Sequence, residues 1–338
     1  MRSIVTVIPL YNGLRWINGA LRSVLAQTRM PDDVIVVDDG STDGGTGAAI
    51  VEALRQQFPV IRLLRKANGG QAAARNFAIR HSHCDLIALL DQDDCWYPNH
   101  LERLLRPFNR VNRGSGMPIG WSYSNMDEID ESGRCIRHSI LDGHASRHPK
   151  RSLVQCLRQD MFVLPSASLI SREAFDAVAG FDERLCGYED DDFFLRVFCA
   201  GFDNVYVNER LSQWRLYPSS TSYSNRMAVS RMIYADKQIA AFPDQPAQGL
   251  YYVRDLIAPR FLTLLKGEHE RLRKQGDIVA SDKRRDEIIE IAAHLPKNTQ
   301  MRVRVFLSLA GVRFNFKVHL PAWMAIWMMV NSRKSRLA

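Results

Sequence analysis

The sequence predicts an α/β fold, with a mostly parallel sheet flanked by helices and a mainly helical C-terminal extension. Three observations carry this. Short apolar runs alternate with helical patterns through the first hundred residues. Those runs are continuous rather than alternating, as in strands buried on both faces. Charge is also partitioned: residues 1–225 carry 25 Lys/Arg against 27 Asp/Glu, and residues 226–338 carry 20 against 10.

The elements follow in order. Strands are predicted at 4-IVTVIP-9, 34-VIVVD-38, 60-VIRLL-64 and 86-LIALLD-91. A helix between the first two is read from Trp16-Ile17, Ala20-Leu21 and Val24-Leu25, which recur at three and four. Further helices are predicted at Ala48–Phe58 and Ala72–His81. Strand–helix alternation at this spacing gives parallel pairing, and such sheets bind ligands at the carboxyl ends of their strands. An irregular polar stretch is expected at about 124–150 and an apolar segment at 162–171. A helix follows from Glu189 to Ala200, then a loop at 213–222. Beyond Arg226 the pattern is helical and basic.

With 338 residues and 46% apolar content, the chain can bury a sizeable core. Two domains are expected, 1–225 and 226–338. The six cysteines are scattered without a C-x-x-C pair, which favours reduced thiols in a cytosolic compartment over zinc or disulfides. No signal peptide is read before the first strand, and the apolar run 322-AWMAIWMMV-330 is too short to span a bilayer.

Three strands end in chemically pointed groups. At 91-DQDD-94 a buried strand runs into Asp91, Asp93 and Asp94. Carboxylates repel when crowded, and hard divalent cations such as Mg²⁺ or Mn²⁺ want oxygen ligands. An acidic loop paired with surface arginines is the plainer reading. At 38-DDGSTD-43, Ser41 or Thr42 is an ordinary helix N-cap, while paired Asp38 and Asp39 suit a nucleoside pocket; the motif alone leaves both open. At 68-NGGQAAARN-76, Asn68, Gly70 and Arg75 at a helix start suit a phosphate, although a glycine turn before alanines is also plain packing.

Glu189-Asp190-Asp191-Asp192 opens a helix, where the macrodipole explains one or two acids but not four. Asp192 is expected on an outer face with Arg196 at i+4. Asp190 shares a stripe with Phe194 and Val197, at the edge of the buried face. Partial desolvation would raise its pKa and suit it to act as a general base. His138, His144 and His148, without cysteine partners, read as surface histidines. Tyr11 either stacks on a base or packs.

Together, V-I-P-L-Y-N at 7–12, V-V-D-D-G-S-T-D at 36–43, N-G-G-x-x-x-A-R-N at 68–76, D-Q-D-D at 91–94 and G-Y-E-D-D-D at 187–192 resemble the family 2 glycosyltransferases over roughly residues 3–225. The resemblance implies a GT-A fold and a metal-dependent, inverting transfer of sugar from a nucleotide diphosphate sugar, usually a UDP sugar, to an acceptor hydroxyl. By that analogy Pro9 and Tyr11 line the nucleoside site, Asp39 contacts the base and Arg75 lies near the nucleotide. Asp91 and Asp93 face ribose and Mn²⁺ or Mg²⁺, Asp94 shares either role, and Asp190 deprotonates the acceptor. Processive relatives carry Q-x-x-R-W and membrane spans. Here 213-QWRLYP-218 lacks that arrangement, so single additions are expected. Arg215 is expected to reach the diphosphate. Many non-processive relatives have a histidine where this chain has Tyr217, and 219–222 read as a flap.

The basic C-terminal region, with Trp323 and Trp327, suggests an interfacial anchor, against a packed cap or oligomer contact. The expected partners are a nucleotide sugar, a saccharide or lipid-linked acceptor and a membrane surface, not nucleic acid. The expected setting is cell-surface polysaccharide or glycolipid synthesis at the cytoplasmic face. The alternative is a catalytically inactive sugar-nucleotide-binding or scaffold protein. Nucleotidyl transfer ranks lower, for want of an N-terminal glycine-rich loop with a basic residue.

Overall fold

The computed structural model describes residues 2–109, 116–217 and 225–310. The flap expected at 219–222 and the tail with Trp323 and Trp327 lie outside the described residues. The chain divides into two compact units, Met1–Phe261 and Leu262–Ala338.

In the first unit the alternation forms as expected. β1 (Ile4–Leu10), β2 (Asp33–Asp38), β3 (Ile61–Arg65) and β4 (Leu86–Leu89) pair in parallel in the order β3-β2-β1-β4. The helices between them are α1 (Ile17–Leu25), α2 (Thr46–Gln57) and α3 (Gln71–Arg80). Every residue of β1 and β4 is buried, which is why those strands read as unbroken apolar runs. Ile4, Ile8, Leu21, Val36, Leu86 and Leu90 belong to one core.

The N-terminus of α2 differs from expectation. Neither Ser41 nor Thr42 caps it. The Asp43 carboxylate accepts the amides of Gly45 (3.0 Å) and Gly47 (3.1 Å) instead. Ser41 and Thr42 are engaged by Asn12, which ties the loop after β1 to the loop after β2.

The second half of the sheet mixes directions. β5 (Cys95–Trp96) and α4 (His100–Leu105) lead to β6 (Ile119–Ile129) and the short β7 (Cys135–Arg137). After α5 (Leu153–Arg158) come β8 (Ser168–Ser171), α6 (Arg172–Ala177), α7 (Glu189–Cys199) and β9 (Asp203–Arg215). β8 runs antiparallel to β4 and β6, β9 runs parallel to β6, and β5 and β7 pair antiparallel to β9 and β6.

Two expectations are corrected here. The stretch from 124 is not irregular at its start, because an 11-residue strand runs through it to Ile129. Its buried residues include Ser122, Ser124, Asn125 and Asp127, so apolar content could not reveal it. Ser122 Oγ donates to Leu104 O at 2.7 Å, and Asn125 Nδ2 to Asp142 Oδ1 at 2.9 Å, which compensates their burial. Likewise Gln213–Arg215 are strand rather than loop.

Beyond Arg226 the described chain is helical: α8 (Asn225–Ala241), α9 (Ala258–Gln275), α10 (Ile278–Ala292) and α11 (Lys297–Ala310). Within the second unit, buried His269 faces Ser281, and Arg284 pairs with Glu287. Among the described residues no helix is long and apolar enough to cross a membrane. All six cysteines are free thiols.

Candidate active site

A cavity of about 460 Å³ opens at the carboxyl ends of β1, β2 and β4, where a parallel sheet leaves its strand ends free for ligands. It is lined by Pro9, Tyr11, Asp39, Asn68, Gly70, Arg75, Asp91, Asp93, Asp94, Asp190 and Arg215. Of the residues that the sequence assigned to the catalytic, nucleotide and metal positions, only Asp38 is missing from this wall. Its carboxylate accepts the Ser41 amide at 2.9 Å, shaping the turn after β2. A second cavity, about 530 Å³ and lined by Arg2, His83, Arg172 and Glu173, contains none of these groups.

One end of the cavity is built from three loops. Tyr11 is 42% exposed, and its backbone is held by Gln92: Tyr11 N donates to Oε1 (2.9 Å) and Gln92 Nε2 donates to Tyr11 O (3.1 Å). Gly13 makes room for that clasp, since a Cβ there would lie 2.3 Å from Gln92 Oε1. Asp39 is buried and accepts Lys66 Nζ (2.7 Å), Gly69 N (3.0 Å) and Gly70 N (2.8 Å). It therefore pins the glycine turn that begins α3. Asn68 Nδ2 donates to Asp39 O at 2.9 Å. Gly70 sits at φ +86°, ψ 172°, a conformation open essentially to glycine alone.

The acidic loop after β4 forms the next wall. Asp91 accepts Arg75 Nη2 at 2.7 Å. Asp93 accepts the Tyr217 hydroxyl at 2.8 Å. Burial, and then the charge of Asp91, push its pKa up. Asp94 is the innermost of the three and accepts Arg215 N at 2.9 Å. Burial and the charges of Asp93 and Asp91 raise it well above the ordinary carboxylate range. Arg215 Nε donates to Asp93 O at 2.7 Å, and Nη1 to Asp130 O at 2.9 Å. As placed, Arg215 holds the acidic loop to the turn that follows β6.

This acidic wall fits a divalent cation by its chemistry. Crowded oxygen donors, of which Asp93 and Asp94 are pushed up by burial and neighbouring charge, are relieved by a cation. Asp91 and Asp93 would hold the ion, with Asp94 bound inward to Arg215. Their three carboxylates do not converge as a preformed trio. Among the described residues the one such convergence within 4.8 Å is Asp127, Cys135 and His138. His138 thus does have a cysteine partner, contrary to expectation.

The four acids of α7 have four separate roles. Glu189 pairs with Arg75 Nη1 at 3.1 Å. Asp190 is half-buried and lines the cavity; its pKa is raised well above the ordinary value by burial and by the charges of Glu189 and Asp191. Asp191 accepts Met161 N at 2.9 Å and Arg260 Nη2 at 2.8 Å. Asp192 does pair with Arg196, at 2.8 Å, but it is buried rather than on an outer face and also meets Lys237. Sequence reading missed Glu189, Gln92, Lys66 and Arg260 as supports of the site. Gln92 stood in the acidic motif itself, whereas Arg260, 69 residues beyond Asp191, offered no local signal.

The model of glycosyl transferase family 2 matches residues 5–179. An uncharacterised glycosyltransferase of Nostoc is 37% identical over 231 residues, covering 67% of this chain and 69% of the relative. One from Rickettsia bellii is 31% identical over 193 residues, covering 57% of this chain and 27% of the relative. The chain thus spans under a third of the Rickettsia bellii protein's length. Among solved structures, S. aureus TarS 1–349 in complex with UDP aligns with a TM-score of 0.57 at 16% identity, covering 94% of both chains. Its complex with UDP-GlcNAc aligns with a TM-score of 0.58 at 15% identity, covering 90% of this chain and 87% of that one. The fold is thus the α/β fold of the GT-A glycosyltransferases, and the chain belongs to glycosyl transferase family 2.

Proposed function

We propose that the chain is an inverting, metal-dependent glycosyltransferase. It moves one sugar from a nucleotide diphosphate sugar, a UDP sugar in the first instance, to an acceptor hydroxyl. The observation that carries this is the shared cavity: Asp190 faces the same space as Asp91 and Asp93, and buried Arg75 links the two walls through Asp91 and Glu189. The UDP and UDP-GlcNAc complexes of the TarS fold support a uridine donor.

Asp190 takes the proton of the acceptor hydroxyl. The oxygen then forms its bond to the anomeric carbon opposite the leaving diphosphate, which departs with the electron pair of the broken bond. The raised pKa of Asp190 makes it a stronger base than an ordinary carboxylate. Tyr11 stacks on the base, Asp39 and Asn68 fix the loops around it, and Arg215 steadies the acidic loop beside the diphosphate. Mn²⁺ or Mg²⁺ held by Asp91 and Asp93 would supply positive charge where the leaving diphosphate gains negative charge.

The acceptor is a saccharide or lipid-linked saccharide in cell-surface polysaccharide or glycolipid synthesis. Contact with the cytoplasmic face of the membrane runs through residues 226–338, supported by their 20 Lys/Arg against 10 Asp/Glu. The deciding experiment is a donor panel of UDP, GDP and dTDP sugars with Mn²⁺, run on the wild type and on Asp190→Asn. UDP binding by both proteins, with turnover by the wild type alone, supports the assignment. UDP binding with no turnover by either, across a broad acceptor panel, would make the protein a binding or scaffold module.

A further inference from the structure

The hairpin of β6 and β7 gathers three unlike donors away from the acidic wall. Asp127 lies on β6 and is fully buried; Cys135 opens β7, and His138 follows its end. Cys135 Sγ is 3.2 Å from His138 Nδ1, and that same nitrogen is 3.1 Å from Asp127 Oδ2. Tetrahedral zinc with sulfur, nitrogen and oxygen ligands has edges of roughly 3.3–3.6 Å between neighbouring donors. Both separations from His138 Nδ1 lie within a few tenths of an ångström of that, and all three donor atoms lie within 4.8 Å of one another.

One cation already sits beside the cluster. Arg210 Nη1, from β9, lies 2.8 Å from His138 Nδ1 and 3.4 Å from Asp127 Oδ2. An arginine N–H can only donate and a carboxylate oxygen can only accept, so Nδ1 faces one group of each kind; with the ring proton on Nε2 it offers a lone pair toward the cation. A lone pair on Nδ1 beside a carboxylate oxygen is favourable only with positive charge between or near them. That is the tautomer and the electrostatic setting a metal requires. Arg210 is 47% exposed along its side chain, so the guanidinium can turn out into water and surrender the place.

The carboxylate is also oriented from behind. The Tyr97 hydroxyl donates to Asp127 Oδ2 at 2.7 Å, and Ser139 N donates to Oδ1 at 3.0 Å. Such outer hydrogen bonds hold metal ligands in position and raise their affinity. A thiolate and a carboxylate together balance a divalent ion, and the sulfur and imidazole favour zinc over Mg²⁺ or Ca²⁺.

We propose that Asp127, Cys135 and His138 form a zinc-class metal site, separate from the donor cavity, with water at the fourth corner and Arg210 as its resident competitor. The site cross-links the β6–β7 hairpin, whose turn carries the Asp130 carbonyl that receives Arg215.

The test is Co²⁺ titration of the full-length protein under reducing conditions. The expected spectrum has a thiolate-to-cobalt charge-transfer band in the near ultraviolet and visible bands of a four-coordinate ion. It saturates at one equivalent and is displaced by Zn²⁺. Cys135→Ser should remove the charge-transfer band, and His138→Ala should abolish that band's saturation at one equivalent. Arg210→Ala should tighten Co²⁺ binding, because it removes the competing cation without touching a ligand. Asp93→Asn, in the acidic wall, should leave the band in place. A wild-type spectrum without the thiolate band, a band that survives Cys135→Ser, or weaker binding by Arg210→Ala would each overturn the site.

Discussion

Arg75 and Glu189 form a buried ion pair at 3.1 Å that joins α3 to α7. The guanidinium is 1% exposed, and its other terminal nitrogen holds Asp91. One side chain therefore sets the spacing between the acidic loop and the proposed base. Removing it strands two carboxylates in a poorly hydrated place. Arg75→Ala is expected to cost about 3–5 kcal/mol of stability, measured by urea denaturation of the ligand-free protein. Arg75→Lys keeps the charge but cannot span two carboxylates, so it should recover only part of the loss.

Asp190 should show a stability–activity exchange. An acid whose folded pKa is raised binds its proton more tightly in the native state, so its ionisation destabilises the fold. That penalty is absent below the ordinary carboxylate pKa, grows as pH rises through the window up to the raised value, and is complete above it. Asp190→Asn is therefore expected to raise the thermal midpoint at pH 7.5, with the gain fading toward pH 3.5. The same variant should lose roughly 10²–10⁴-fold in kcat. In the wild type the acid limb of the kcat profile should lie above the ordinary carboxylate range. A limb near pH 4 would reject the base assignment.

Gly70 tests the turn that Asp39 pins. Nothing lies within 4 Å of a Cβ built at Gly70, so Gly70→Ala probes backbone strain alone at φ +86°. The expected cost is about 1–3 kcal/mol, read in denaturant midpoints. UDP affinity should fall with it, because the Gly70 amide would leave the Asp39 carboxylate.

Gln92 couples the acidic loop to Tyr11. Gln92→Ala removes both hydrogen bonds to the Tyr11 backbone and should weaken UMP binding about tenfold, or 1.4 kcal/mol. Calorimetric titration with UMP, which lacks the diphosphate, isolates the nucleoside end. An unchanged affinity would show that Tyr11 is held without the clasp.

Chelation tests the cation at Asp91 and Asp93. EDTA should stop transfer, and added Mn²⁺ should restore it. Turnover unaffected by exhaustive chelation would count against a metal-dependent reaction.

What the residues alone determined was the parallel half of the sheet and most of one cavity wall. Buried parallel strands must be apolar throughout, so β1, β2 and β4 stood out as continuous runs. Their carboxyl ends are a fixed place for ligands, so the strand pattern alone brings Tyr11, Asp39 and Asp91 to one site. Asp190 was legible because helical spacing sets it at the edge of a buried stripe. The tertiary structure alone decided the rest. β6 is buried yet carries Ser122, Ser124, Asn125 and Asp127 among its apolar residues, and no sequence pattern announces the hydrogen bonds of Ser122 to Leu104 and Asn125 to Asp142. The partners of the α7 acids came from 114 residues upstream for Glu189 and 69 downstream for Asp191. Asp38 left the cavity wall because a single backbone amide claimed it. Periodicity reports which face a side chain takes, whereas charge pairing depends on which distant chain segment packs against that face.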